Sequence, residues 1–315
     1  MHSFGGVEDS NISIFAPMIQ RIIFLTTYPL IWVISVLPHR LFYGVSDVLS
    51  GFVFGLVGYR SKLVDKNIAL CFPQMSDQER KTLAKRAYRH FFDILLEMFR
   101  ADKLSETQIK KQFHIENPEL LKSLLVDKNV IVLGAHHANW EWMSSITLYH
   151  NIRGMAVYQK VNNRYYDQTI YKIRSHWGMG LVTQKDFFRT ISAQAQSKEH
   201  HFFGMVADQS PLLSKAKMWQ SFMGVEVPVF AGPESIATAV DAAIVFMEVD
   251  QVKRGYYRVQ LKLITDDPKS LTEGMITRKY LDLVEAQICR QPHCYMWTHN
   301  RWKHQGKKPI QDPIG

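Results

Sequence analysis

The chain has 315 residues, 46% of them hydrophobic, enough for a sizeable core in one or two domains. Its 38 Lys and Arg outnumber 29 Asp and Glu; the formal charge of +9 suits a negative partner such as nucleic acid, an anionic membrane or an acidic protein. Cys71, Cys289 and Cys294 are odd in number and form no CxxC pair, which argues against a disulfide scaffold and for a reduced, cytoplasmic compartment.

Ile12 to Leu37 carries one charge, Arg21, around the run IIFLTTYPLIWVISVL. The run is slightly short of the ~20 residues of a spanning helix; the upstream ISIFAPMI makes up the length, with Pro17 and Pro29 as kinks. The charges ahead of it are Glu8 and Asp9, so a cleaved signal peptide is not expected. A second apolar stretch, Gly44 to Gly58, is rich in small residues and suits a hairpin partner or an interfacial segment. His39, Arg40, Arg60, Lys62 and Lys66 place the remainder on the cytoplasmic side. The alternative is two buried helices of a soluble fold. Residues 1–60 thus read as a membrane-anchoring helical segment, 61–305 as an α/β domain and 306–315 as a frayed tail.

Ser76-x-x-Glu79 is a capping box. The helix behind it, to about Arg100, carries a broad apolar stripe through Leu83, Ala87, Phe91, Leu95 and Phe99. Glu97 and Arg100 at its end read as solvated.

Val130 to Met143, VIVLGAHHANWEWM, is the central stretch. A short branched apolar run bounded by Asp127 and Lys128 reads as a buried strand, and Gly134 permits a tight exit. Asn139 is an N-cap, and Glu141 lies in the first turn of the helix that follows. His136 and Glu141 would face different ways on one helix, so they meet only if His136 precedes it. A carboxylate-held imidazole is an oriented general base. No serine or cysteine nucleophile lies beside it, so the base would act on a substrate hydroxyl. The plain alternative is a polar strand end with a capped helix.

Beyond it the chain alternates. Strands are expected at Gly154 to Tyr158, Leu181 to Thr183, His201 onward, Ala243 to Glu248 and Tyr257 to Leu263. Helices are expected at Tyr165 to Trp177, Phe187 to Gln196, after Pro233, and at Leu271 to Arg290. This implies an α/β fold with a largely parallel central sheet flanked by helices. Asp208 ends one strand and His136 follows another, where α/β sheets keep their sites; Arg174 on an intervening helix can reach the same crevice. Taken singly, Asp208 also reads as a turn or cap residue and Arg174 as a surface charge. Cys289, His293, Cys294 and His299 are zinc-ligand types, but their spacing fits no common pattern.

GAHHANWEW, VADQSP, PVFAGPESIA and PHCYMWTHNRWK, with NIALCFPQMSDQER upstream, resemble the bacterial lipid A biosynthesis acyltransferase family, the late lauroyl/myristoyl transferases. The resemblance runs from about Asn67 to Lys303, in order. It implies a glycerolipid-acyltransferase-like fold and transfer of an acyl chain from acyl carrier protein to a hydroxyl of a lipid A precursor. The setting would be the cytoplasmic side of the bacterial inner membrane. The family's H-x4-D/E pair falls on His136 and Glu141, its downstream functional arginine on Arg174, and its strand-end aspartate on Asp208. This chain departs at Gln159 and Asn163-Arg164, where many members have Arg then Asn-Pro. It departs again at His137 and Ala138, where an aromatic and glycine are frequent. The departures bear on acceptor and chain-length preference.

On this reading His136 is the base, Glu141 orients its ring, and Arg174 or a backbone N–H near Gly134 meets the oxyanion. Asp208 would hold Arg174 or His137. No cofactor or metal is expected, and neither a P-loop nor G-x-G-x-x-G occurs. The expected partners are acyl carrier protein, an anionic glycolipid and the membrane, not nucleic acid. The rivals are a membrane acyltransferase acting on a lysophospholipid or aminolipid, and a non-catalytic binder of anionic lipid or nucleic acid. For the last, Tyr165-Tyr166 is a weak stacking hint.

Overall fold

The computed structural model describes residues 8–309, with side chains from residue 17 onward. Helix α1 (Glu8–Val36) runs unbroken through Pro17 and Pro29. Most of its described apolar side chains face outward, among them Ile22, Leu25, Leu30 and Trp32. One narrow stripe docks on the body: Phe24 stacks on Tyr165, and Thr27 Oγ1 lies 2.5 Å from Tyr166 Oη. After Pro38 the chain turns into α2 (His39–Phe52), which continues as one π-helical turn to Val57. Pro17–Val36 and His39–Val57 are both long and apolar enough to cross a membrane.

The second segment is only partly an outlier to the body. α2 buries Phe42 and Tyr43 against Leu96. α3 (Ser61–Cys71) leads to α4 (Asp77–Arg100), whose start has the expected reciprocal cap: Ser76 N–H donates to Glu79 Oε2 at 2.8 Å, and Glu79 N–H to Ser76 Oγ at 3.3 Å. Of the stripe residues, Leu83 and Ala87 are buried and Phe91, Leu95 and Phe99 are half-buried. Glu97, read as solvated, is instead wholly buried at 0% exposure.

Next come α5 (Glu106–Gln112), β1 (Phe113–Ile115), α6 (Glu119–Leu124), β2 (Val130–Gly134) and β3 (Gly154–Tyr158). They are followed by α7 (Arg164–Ser175), β4 (Gly180–Thr183), α8 (Phe187–Ala195) and β5 (Phe202–Val206). A hairpin of β6 (Met218–Phe222) and β7 (Val225–Val229) precedes α9 (Gly232–Val240), β8 (Ala243–Lys253), β9 (Tyr256–Thr265) and α10 (Met275–Arg290). The last helix starts at Met275 rather than Leu271. Gly274, at φ +87°, closes the preceding turn, and buried Glu234 accepts the N–H groups of Gly274 and Thr277.

The sheet order is β1-β9-β8-β2-β5-β3-β4. The five strands from β8 to β4 are parallel; β9 runs antiparallel to β8, and β1 parallel to β9. The fold is therefore α/β and mostly parallel, with helices on both faces. Central β2 is buried on both sides, as a strand covered by helices must be. Ile131 and Leu133 join a core with α3, α9 and α10; Val130 and Val132 join a second with Trp142, Ile146 and α7. Of the tail read as frayed, residues 310–315 lie outside the described residues, and Lys308 pairs with Glu226 at 2.6 Å.

Candidate active site

Strand register builds the site. β2 pairs in parallel with β5, with Gly134 opposite Val206. Both chains leave the sheet at the same edge, so His136 and Asp208, each two residues further on, come together there. Asp208 Oδ1 accepts the backbone N–H of His136 at 3.1 Å and its Nδ1–H at 2.8 Å. With Nδ1 carrying the proton, Nε2 keeps its lone pair, the tautomer this hydrogen bond selects. Gln209 Nε2 lies 3.2 Å from His136 Nε2, and the Trp140 indole packs edge-on at 5.4 Å.

Asp208 is 1% exposed. Burial alone would raise its pKa, but the His136 ring and its two hydrogen bonds more than offset this and hold the carboxyl below the usual range. Its other oxygen, Oδ2, has no hydrogen-bond partner among the described residues.

Glu141, expected to orient the His136 ring, makes no hydrogen bond with it among the described residues. It sits, as expected, in the first turn of the helix capped by Asn139, a 3₁₀ helix over Trp140–Leu148. Its carboxylate is taken by Arg174: Nε donates to Oε2 at 2.8 Å and Nη2 to Oε1 at 2.7 Å, and Trp140 Nε1 adds a third bond at 3.1 Å. The physical reason is the two-nitrogen fork of Arg174, which matches a carboxylate and outcompetes a single imidazole N–H. Burial would raise Glu141, but the charge and hydrogen bonds of Arg174 win and keep it low; for Arg174 burial would lower the guanidinium, and Glu141 holds it up. The expected Asp208–Arg174 and Asp208–His137 contacts are not made. His137, buried, faces the carbonyls of Val249 and Gln291 instead, and burial lowers it to about 4.

Gly134 serves packing rather than a special turn. A β-carbon there would meet the tip of the Met143 side chain, which would have to swing aside. The left-handed backbone falls on Ala138, at φ +50°. The segment before the C-terminus pins this turn: Ala138 N–H donates to the Cys294 carbonyl, and Met296 N–H to that of His136, both at 3.0 Å. Sequence reading gave no such role to the PHCYMW stretch, nor any to Trp140. Among the described residues no three His, Cys, Asp or Glu side chains gather as a metal site.

His136, Glu141, Arg174 and Gln209 stand at the mouth of a cavity of about 510 Å³. Its floor is apolar, formed by Val132, Ala156, Leu181, Gly204 and Met247 on one face of the five parallel strands. Lys160 adds a positive charge at the mouth.

An α/β sheet with an oriented imidazole at the mouth of an apolar cavity has the equipment for general-base chemistry on a substrate with an apolar part. Comparison with known proteins makes the class specific. The family model described as bacterial lipid A biosynthesis acyltransferase matches residues 15–304, and the chain belongs to that family. It is 23% identical over 283 residues to the lipid A biosynthesis palmitoleoyltransferase of Escherichia coli K12, covering 87% of this chain and 88% of that protein. It is 24% identical over 287 residues to the lauroyltransferase of the same strain, covering 87% and 89%. A lipid A biosynthesis acyltransferase of Haemophilus influenzae is 25% identical over 256 residues, 78% of each chain. Among solved structures, the 1-acyl-sn-glycerophosphate acyltransferase PlsC of Thermotoga maritima aligns with a TM-score of 0.33 and 15% identity, over 80% of this chain and 97% of that one.

Proposed function

We propose that this acyltransferase moves a fatty acyl chain from acyl carrier protein to a hydroxyl of a lipid A precursor, with His136 as general base. The observation that carries the reading is His136 itself: Nδ1 is tied to buried Asp208, and the ring lines the mouth of an apolar cavity. The acceptor hydroxyl gives its proton to Nε2 as its oxygen attacks the thioester carbonyl. Asp208 stabilises the imidazolium that forms. The C–S bond then breaks, and the imidazolium returns the proton to the departing thiolate. An ester and free carrier thiol remain, and no cofactor or metal takes part. Such a base is worth about 10²–10⁴ in rate.

Arg174 is the candidate for the oxyanion or for an anionic group of the acceptor, with Glu141 holding its fork in place. Nε and Nη2 are taken by Glu141, and Nη1 makes no hydrogen bond among the described residues. The apolar cavity floor suits an acyl chain, and the charge of +9 suits both an acidic carrier protein and an anionic glycolipid. We place the enzyme on the cytoplasmic side of the inner membrane, attached through residues 1–60, with the catalytic body over 61–305. The outward apolar face of α1 supports that placement.

The test is lipid A mass spectrometry of a strain lacking the gene, complemented with the parent or with His136→Ala. The expected result is lipid A lighter by one acyl chain, restored by the parent and not by the variant. Unchanged lipid A with altered glycerophospholipid acyl chains would overturn the acceptor assignment.

A further inference from the structure

The carboxyl of Glu97 takes no part in the chemistry above, yet it is among the most tightly held in the molecule. Three side chains donate to it: Tyr43 Oη to Oε1 at 2.5 Å, Asn139 Nδ2 to Oε2 at 2.6 Å and Tyr257 Oη to Oε2 at 2.8 Å. Its own carbonyl accepts Trp142 Nε1 at 3.1 Å. The donors come from α2, from the turn after β2 and from β9, so one side chain joins three parts of the fold. A buried carboxyl is costly, and an apolar side chain would fill the space at less cost. Stability alone does not account for it.

Asn139 is also wholly buried, and both ends of its amide are engaged. Nδ2 bonds Glu97, while Oδ1 accepts Trp142 N–H at 3.0 Å and starts the helix that carries Glu141. Just before it stands Ala138 at φ +50°, a left-handed backbone that a residue with a β-carbon keeps only where its neighbours hold it. His136 lies two residues before Ala138, with His137, held by the carbonyls of Val249 and Gln291, between them. Glu97 therefore reaches, through one amide, the strained turn between the base and the carboxylate that fixes Arg174.

We propose that Glu97 is a positioning residue for the transfer: through Asn139 it holds the turn that carries His136, and through Tyr43 it ties that turn to α2. The inference rests on the reading of His136 as base. Burial raises the Glu97 carboxyl to about 8; in the protonated form Oε2 still accepts from Asn139 and Tyr257 while the other oxygen carries the proton and the Tyr43 hydroxyl turns to accept it, an arrangement that an amide can copy. Glu97→Gln should keep most of the function, whereas Glu97→Leu leaves Asn139 Nδ2 without an acceptor.

The experiment measures turnover of purified variants with acyl-acyl carrier protein and an under-acylated lipid A precursor, per folded molecule as judged by the melting transition. Glu97→Leu and Asn139→Ala should each lower kcat at least tenfold with KM for either substrate within about twofold, and Glu97→Gln should stay within about threefold of the parent. Adding Ala138→Gly to Glu97→Leu should restore kcat several-fold, because glycine adopts the left-handed turn without being held there. A kcat within twofold of the parent in Asn139→Ala overturns the proposal, even where Glu97→Leu fails to fold. So does an equal loss in Glu97→Gln and Glu97→Leu, or a rise in KM alone. His136→Ala in the same assay separates the two readings. If it retains turnover, the base assignment fails. If it is inactive while the Glu97 and Asn139 variants turn over normally, only the positioning role fails.

Discussion

Asp208 and His136 lie 72 residues apart in sequence and 2.8 Å apart in space, and the carboxylate binds both the ring and the backbone of the same histidine. It sets the tautomer and the position of the turn together. Asp208→Asn should therefore be nearly as damaging as loss of the base. An amide in that place can present its N–H₂ to Nδ1, reverse the tautomer and put the proton on Nε2. We expect kcat to fall about 10²–10⁴-fold with the fold intact and KM little altered. Steady-state kinetics on purified protein checks this; a loss below tenfold would return the orienting role to another group.

The Glu141–Arg174 pair calls for a different test. The half-buried fork and the nearly buried carboxylate act as a unit. Removing either leaves the other charge exposed to a site of low polarity. Glu141→Gln and Arg174→Lys should each impair activity, the second because lysine lacks the planar fork. Their effects should be less than additive, with a coupling of about 0.5–3 kcal/mol in a double-mutant cycle. Full additivity would assign them separate tasks.

Truncation should separate the two N-terminal helices. Deleting residues 1–37 removes α1, which docks through Gln20, Phe24 and Thr27, and should leave a folded protein with weakened membrane attachment, held only by the exposed Leu41, Val48, Phe52 and Leu56 of the second segment. Deleting 1–58 also removes Phe42 and Tyr43, uncovering Leu96 and taking one donor from Glu97. That should cost about 3 kcal/mol or more and lower the melting temperature sharply. Fractionation and thermal melts distinguish the outcomes; equal behaviour of the two truncations would contradict this division.

Stability should peak near pH 6.5. Burial lowers His90 to about 3 and His137 to about 4, both from 6.5. Their contribution is complete above pH 6.5 and is lost as pH falls toward the folded values, by about 1.4 kcal/mol per pH unit for each site. Glu97 has the opposite sign. Burial raises it to about 8, so its contribution is complete below the unfolded value of about 4.3 and is lost as pH rises to 8. Below pH 6.5 these histidines, joined by His293 and His299, which burial also lowers to about 4, outweigh one carboxyl; from there to pH 8 the carboxyl sets the slope. Melting temperatures from pH 5 to 8 should trace this maximum, and Glu97→Gln should flatten the alkaline side.

Much of the site was legible from local chemistry. The branched run Val130 to Leu133, bounded by Asp127, Lys128 and Gly134, reads as a buried strand, Asn139 caps the helix behind it, and the Ser76–Glu79 box starts α4, because each signal lies within a few residues. Glu97 was misread for want of context, although the signal was there. His90, Asp93 and Glu97 fall at i, i+3 and i+7, a polar line on one helix face, which exposed surface does not require.

What only the tertiary structure decided was partnership. Sequence placed a carboxylate five residues from His136 and made it the natural companion; the fold gave that carboxylate to Arg174 and brought Asp208 from the next strand instead. The register of β2 on β5 is what does this, and register is a property of two strands, invisible in either alone. The same limit applies to β9 and β1. Their residue patterns serve equally in a parallel or a reversed strand, because side chains alternate across the sheet whichever way the chain runs. Only the tight turn at Gly255, at φ +77°, sends β9 back along β8.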